Sequence, residues 1–224
     1  MKTLLKPENI ALVLTGDEDV KDIRKFVNNI GWIELRLDIF IESHSQCDIL
    51  KWVKKIRSIT DTKIIGTVRW HKEKQDNKII IPDSQRLQLY KNILNFIDFV
   101  DVEIKSKIAH CVIEEANKKN KKVIASYHNF QQTPSEKILI HICQDARKFN
   151  VDIVKIATLL KRENDLFTLV SLINRQRKKI PIVVIPMGSS ILQRLVPIAF
   201  GSQFTYVSLN KKTAPGQPDI MDII

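Results

Sequence analysis

The sequence predicts the α/β class and, within it, a single (β/α)8 TIM barrel spanning residues 1–224. Three observations predict it: eight apolar runs of strand length, amphipathic stretches between them that open on helix-start signals, and no glycine-rich nucleotide loop after the first run. The runs are Ile10 to Leu14, Trp32 to Leu37, Lys63 to Val68, Phe99 to Ile104, Val123 to Tyr127, Val151 to Ala157, Ile182 to Ile185 and Phe204 to Leu209. They are short, rich in β-branched residues and nearly continuous, as parallel strands covered on both faces are.

The helix-start signals are Asp17-Glu18-Asp19, Asp48, Ser84, Ser135-Glu136 behind Pro134, and Asn164-Asp165, residues whose side chains can accept from the free amides of a first turn. From Ser84, Leu87, Tyr90, Leu94 and either Ile93 or Ile97 recur at helical spacing. That predicts a buried stripe, with Arg86, Gln88, Lys91 and Asn95 on the opposite, solvated face. A doubly wound open sheet is the alternative, but Gly16 stands alone after the first run where such a sheet would carry its phosphate loop.

The formal charge is +11. The lysines are dispersed (Lys51, Lys54 and Lys55, then Lys118 to Lys122, then Lys178 and Lys179), and there is neither an RNP-like aromatic pattern nor zinc-finger spacing. Solvated surface is therefore expected, not nucleic-acid binding. A net positive field also draws in small anions. No stretch reaches the ~18 to 20 apolar residues of a membrane span, and the start of the chain, around Lys2 and Lys6, lacks the apolar length of a signal peptide. Cys47, Cys111 and Cys143 are far apart and in no CxxC spacing, which predicts free thiols and a cytoplasmic location.

One lysine, Lys155, interrupts the apolar run from Val151. Buried there, an ammonium must find a partner or give up its proton. The neutral amine would be a Schiff-base nucleophile; the alternative is a strand-end lysine that reaches solvent. Strand parity extends the argument, because alternate side chains face the barrel interior. One parity holds Glu34, Arg36 and Asp38, then Thr67 and Arg69, Asp101 and Glu103, Ser126 and His128, and Lys155 and Ala157. Five adjacent strands thus aim polar groups inward toward their C-terminal ends, where barrels of this type place their sites. A buried structural network, such as Glu34 or Glu103 with Arg36 or Arg69, would use the same residues.

There is no HExxH, Cys/His ligand set, P-loop or GxSxG, so metal hydrolysis, phosphoryl transfer and serine hydrolysis lack their parts. A lysine, a histidine, carboxylates and arginines remain, a set suited to dehydration or aldol chemistry: an imine on Lys155, His128 as general acid and base, arginines on a substrate carboxylate.

The segments Glu34-Leu35-Arg36-Leu37-Asp38, Thr67-Val68-Arg69, Asp101-Val102-Glu103, Ser126-Tyr127-His128-Asn129-Phe130, Val154-Lys155-Ile156-Ala157, Met187-Gly188, Arg194 and Ala214-Pro215-Gly216-Gln217, taken together and in this order, resemble type I 3-dehydroquinate dehydratase. The resemblance implies a cofactor-free, metal-free lyase that performs the syn elimination of water from 3-dehydroquinate to 3-dehydroshikimate, in the shikimate pathway of aromatic amino acid biosynthesis. It implies a homodimer. By it, Lys155 forms the imine, His128 is the acid/base and Glu73 orients the histidine. Glu34, Arg36 and Arg69 would hold substrate hydroxyls, with Asp101 and Glu103 in support. Arg194 would bind the carboxylate, Met187 would pack near the ring, and Thr213, Ala214 and Gln217 would belong to a loop closing over the substrate.

Asn129 stands where the family commonly carries aspartate, and Ile191 and Gln193 stand where it carries a glycine and a serine. Because isoleucine does not adopt positive φ cheaply, the loop before Arg194 is expected to run differently from the family's. Few residues follow Pro218, so the last helix is expected to be shortened, in a trimmed chain, a compact variant or one half of a fusion with shikimate dehydrogenase.

Overall fold

The computed structural model describes residues 5–74 and 79–224; Lys2 lies outside them. Eight parallel strands alternate with helices: β1 Ile10–Leu14, β2 Trp32–Arg36, β3 Lys63–Thr67, β4 Phe99–Glu103, β5 Lys122–Asn129, β6 Ile153–Leu159, β7 Ile182–Met187 and β8 Thr205–Ser208. They pair in the order β7-β6-β5-β4-β3-β2-β1-β8, a nearly closed barrel. The last gap is bridged in another way. Gln203 N donates to Ile182 O at 2.9 Å, and Val184 N donates to the Ser202 hydroxyl at 2.9 Å, so residues just before β8 tie it to β7.

The helices are α1 Val20–Phe26, α2 Leu37–Ser43, α3 Ile49–Arg57, α4 Asp83–Ile93, α5 Ala109–Lys118, α6 Glu136–Lys148, α7 Asp165–Gln176 and α8 Ile191–Ala199. The Asp19 carboxylate caps α1 by accepting from Lys21 N at 2.8 Å. After β8 lies the 3₁₀ turn Ile220–Asp222.

Two sequence expectations are corrected. Asp38 is not on β2, because the strand ends at Arg36 and α2 begins at Leu37; two helices, not one, join β2 to β3. Arg86 does not face solvent. It is fully buried, donating to Val68 O at 2.9 and 3.1 Å, to Ser106 Oγ at 2.9 Å and to Glu103. Helical periodicity treats any arginine as a solvated residue, whereas here a carboxylate on β4 makes its burial tolerable.

The core has two layers. One lies between the sheet and the helices and holds Leu12, Ile33, Leu35, Val100, Val154 and Val184 with Ile23, Val53, Ile93, Leu139 and Leu172. The other fills the barrel. Trp32, at the start of β2, lies 5.0 Å from Phe99 and 4.6 Å from Phe204, ring centroid to centroid. This aromatic plug closes the N-terminal end of the barrel, each buried ring contributing on the order of 2 kcal/mol. The inward positions further along the strands are therefore free to carry polar groups.

Candidate active site

Those positions line a chamber of about 450 Å³ at the C-terminal ends of the strands. Glu34, Arg36, Arg69, Glu73, His128, Lys155, Met187, Arg194, Thr213, Ala214 and Gln217 all border it. Register explains the convergence. Ser126 is level with Lys155, His128 with Ala157, and Glu103 with Ser126, so inward side chains of β4, β5 and β6 meet at adjacent levels.

Lys155 is 4 % exposed and has found partners. Its Nζ donates to Asp101 Oδ2 at 2.8 Å, approaches Glu34 Oε1 at 3.5 Å, and sits 4.0 Å from the centroid of the Tyr206 ring. Burial alone would raise Asp101, but Arg69 and Lys155 together hold it well below the usual carboxylate range. Asp101 is thus held as a carboxylate beside the lysine, as its counter-ion.

Arg69 organises the wall. One of its terminal nitrogens lies 2.7 Å from Glu103 Oε1, 3.0 Å from Ser126 Oγ, 3.1 Å from Asp101 Oδ1 and 3.3 Å from His128 Nδ1. Glu103, behind it, also accepts from the Trp70 amide at 2.9 Å and from Arg86. The buried network foreseen as an alternative to a polar site thus exists alongside it. Arg36 is engaged elsewhere: its guanidinium grips Asp38 in a fork, at 2.9 and 2.8 Å.

His128 accepts no full charge here. Burial pushes its pKa well below the ordinary 6.5, and the nearby positive charges of Arg69 and Lys155 push the same way. The imidazole is therefore neutral at pH 7, as a proton acceptor must be. Its orientation comes from Glu73, on the 3₁₀ turn His71–Glu73, whose Oε2 accepts from the His128 amide at 2.7 Å and lies 3.1 Å from Nδ1. Burial, with Glu103 adding to it, pushes the Glu73 carboxyl up to about 8. A largely protonated Glu73 leaves the histidine less basic than an ionised partner would.

Arg194 sits on the first turn of α8, 1 % exposed. Among the described residues no carboxylate forms a salt bridge with it; its NH1 donates to Pro215 O at 3.2 Å, and its Nε is buried without a partner. Burial lowers it to about 10, still charged at neutral pH. The loop before it does not ask Ile191 for positive φ. Positive φ falls on Gly188 at 71°, and Ile191 simply opens the helix. Gln193 takes part in the cap: its amide donates to Ser190 Oγ at 3.3 Å, and its side-chain oxygen accepts from Ser190 N at 3.1 Å.

The segment Thr213 to Gln217 lines the chamber. Gln217 Oε1 accepts from Thr213 N at 2.6 Å and from its hydroxyl at 2.9 Å, and Gly188 N donates to Pro215 O at 3.1 Å, docking the segment on the β7–α8 connection. Met187 and Ala214 supply apolar wall beside it. The Asn129 side chain turns to other partners: its Nδ2 donates to Tyr127 Oη at 3.2 Å, and its Oδ1 caps the turn beyond β5 by accepting from Gln131 N and Gln132 N at 2.9 and 3.0 Å.

Sequence reasoning missed Lys74 and Tyr206. Lys74, at the mouth, bridges Glu42 at 2.7 Å and Asp38 at 3.6 Å. Tyr206 shares the inward parity of β8 with Phe204 and Ser208, and extending the parity argument to that strand would have found it. Among the described residues no group of three or more His, Cys, Asp or Glu is placed to hold a metal ion.

The family model described as type I 3-dehydroquinase matches residues 10–224. The 3-dehydroquinate dehydratase of Thermodesulfovibrio yellowstonii is 34 % identical over 217 residues, covering 96 % of this chain and 92 % of that one. Crystal structures of 3-dehydroquinate dehydratase from Geobacillus kaustophilus (TM-score 0.85, 25 % identity, 96 % of this chain and 88 % of that one) and of the type I enzyme from Clostridium difficile with covalently modified comenic acid (0.81, 26 %, 97 % and 90 %) share the fold.

Proposed function

The chain belongs to the type I 3-dehydroquinase family, and from that premise we propose that it is a hydro-lyase that converts 3-dehydroquinate to 3-dehydroshikimate through an imine on Lys155. The observation that carries this reading is the enclosure, in one chamber, of Lys155 against Asp101, a neutral His128 one strand away, and a buried Arg194 that meets no carboxylate among the described residues. These three supply a nucleophile, a base and an anion site.

Arg194 holds the substrate carboxylate, with Gln217 beside it, and so sets the ring's orientation. Lys155 Nζ, its proton passed to His128 or water, adds to the C3 carbonyl; the carbonyl oxygen leaves as water and an iminium forms. Asp101, ionised at 2.8 Å, stabilises that cation. His128 removes a proton from C2, giving an enamine, and returns it to the C1 hydroxyl as that group leaves as water. Because one imidazole performs both transfers, the proton and the hydroxyl leave from the same face, a syn elimination. Hydrolysis by one water frees Lys155, for a net loss of one water. Glu73 orients His128, while Glu34, Arg36 and Arg69 bind hydroxyls and hold the wall. Met187 packs on the ring, and the segment bearing Thr213, Ala214 and Gln217 shuts out solvent.

The same reading takes residues 1–224 as one catalytic domain acting in the shikimate pathway, cytoplasmic and homodimeric. The free thiols of Cys47, Cys111 and Cys143 support the location, and no described helix is long and apolar enough to cross a membrane. Purified protein incubated with 3-dehydroquinate should produce the conjugated product, and borohydride should trap an adduct that peptide mass spectrometry maps to Lys155. No conversion at millimolar substrate would refute the reading. Sedimentation measures the assembly.

A further inference from the structure

Tyr206 is assigned no part in the steps above, yet it lines the chamber. Its side chain is 4 % exposed, and its hydroxyl is buried without a hydrogen-bond partner among the described residues. Buried polar atoms are satisfied in at least about nine cases in ten, so an orphaned one in a polar chamber asks for a ligand. Three further orphans border the same chamber, Glu73 Oε1, Arg194 Nε and Gln217 Nε2. The Tyr206 hydroxyl and the two nitrogens can donate.

The tyrosine is also held in place. Phe204 meets its ring edge-on, centroids 5.4 Å apart at 73°, and Lys155 Nζ lies 4.0 Å from its centroid. A ring wedged in this way cannot swing its hydroxyl toward another partner, and two χ angles leave little entropy to lose on binding. We propose that the Tyr206 hydroxyl is a substrate-contacting, specificity-determining group that donates a hydrogen bond to an oxygen of the carboxylated polyol bound by Arg194. The inference rests on the dehydratase reading for its substrate. Burial, with Glu34 and Asp101 close by, holds the phenol well above its ordinary pKa, so it stays a donor throughout the working pH range.

A site that donates to a substrate oxygen discriminates against molecules lacking it, since the donor is then left unpaired in the complex. The face of the ring has a separate use: it lies against the nitrogen that becomes cationic in the imine.

Tyr206→Phe isolates the hydroxyl, because the ring and its packing remain. Steady-state kinetics with 3-dehydroquinate and calorimetric titration with quinate, which keeps the carboxylate and hydroxyls but has no ketone to form an imine, are compared in wild type and variant. The expected result is a KM raised about tenfold and quinate binding weakened about tenfold, with the borohydride adduct at Lys155 still forming at saturating substrate and thermal stability undiminished. Tyr206→Leu, which removes the ring as well, should in addition slow adduct formation. Equal quinate affinity and equal kcat/KM in wild type and Tyr206→Phe would overturn the proposal, as would failure of both proteins to bind quinate. Wild-type protein that binds quinate but leaves 3-dehydroquinate unconverted would sink the dehydratase reading instead, and the quinate comparison would still decide the role of the hydroxyl.

Discussion

The guanidinium of Arg194 donates to the carbonyl oxygen of Pro215 across 3.2 Å, so a buried cation that forms no salt bridge among the described residues is tied to the Thr213 to Gln217 segment lining the chamber. An anion bound at Arg194 would thus be sensed directly by that segment. A buried charge without a counter-ion destabilises the empty protein, and a carboxylate ligand would relieve that cost.

Arg194→Met is therefore expected to leave thermal stability unchanged or raise it, while kcat/KM falls by about 10² or more, the loss typical of one partner of a buried charge pair. Melting curves and kinetics on the same preparation check both halves. A variant that loses stability and activity in parallel would contradict the argument.

Lys155→Ala removes the nucleophile and half the compensation of Asp101, which keeps Arg69 at 3.1 Å. No turnover and no borohydride adduct are expected, together with lower stability, because a buried carboxylate loses its nearest cation. His128→Ala should still form the adduct but release product very slowly. Mass spectrometry distinguishes the two.

Glu73 and His128 impose opposite pH dependences on stability. The Glu73 carboxyl, raised from 4.5 to about 8, contributes stability that is complete below about 4.5 and is lost as pH rises toward 8, since the native state retains a proton the unfolded chain releases. His128, lowered from 6.5, contributes stability that is present above 6.5 and lost as pH falls below it. Glu73→Gln should flatten the decline between about pH 5 and 8 and leave the acid-side decline in place. Melting temperature against pH, with an unchanged alkaline slope in the variant, would reject the assignment.

Arg86→Met leaves Glu103 with Arg69 as its remaining cation, takes the donor from Ser106 Oγ and leaves Val68 O only the longer bond from the Tyr90 hydroxyl at 3.4 Å. Breaking a buried pair in this way costs about 3–5 kcal/mol. At 2–4 °C per kcal/mol for a chain of this size, the melting temperature should fall by roughly 10 °C. Arg86→Lys should recover part of it.

Gly216 has φ +68°, and a Cβ there would come within 2.7 Å of Ser189 O. Gly216→Ala should lift its segment off the β7–α8 connection, raising KM severalfold while melting temperature changes little. An unaltered KM would show that the segment's seat does not matter to binding.

The strands were legible because each faces the same surroundings on every barrel position: β1 was anticipated to the residue, and the other runs to within a few residues at either end. Parity likewise exposed Lys155, His128 and Arg69 as inward groups. Arg86 and Asp38 were misplaced for a common reason. A periodicity argument sees one element at a time, whereas the burial of Arg86 depends on Glu103 from β4, and Asp38 is turned into α2, where it grips Arg36.

By itself the sequence determined the barrel, its inward polar stripe and the chemistry that a lysine, a histidine and arginines can perform, because period, residue type and order are local properties of the chain. The tertiary structure alone decided that Lys155 is met by Asp101, that burial leaves His128 neutral and Glu73 raised, and that, among the described residues, Arg194 meets no carboxylate and the Tyr206 hydroxyl no hydrogen-bond partner. Those are properties of distance and desolvation between residues far apart in the chain, and no single segment encodes them.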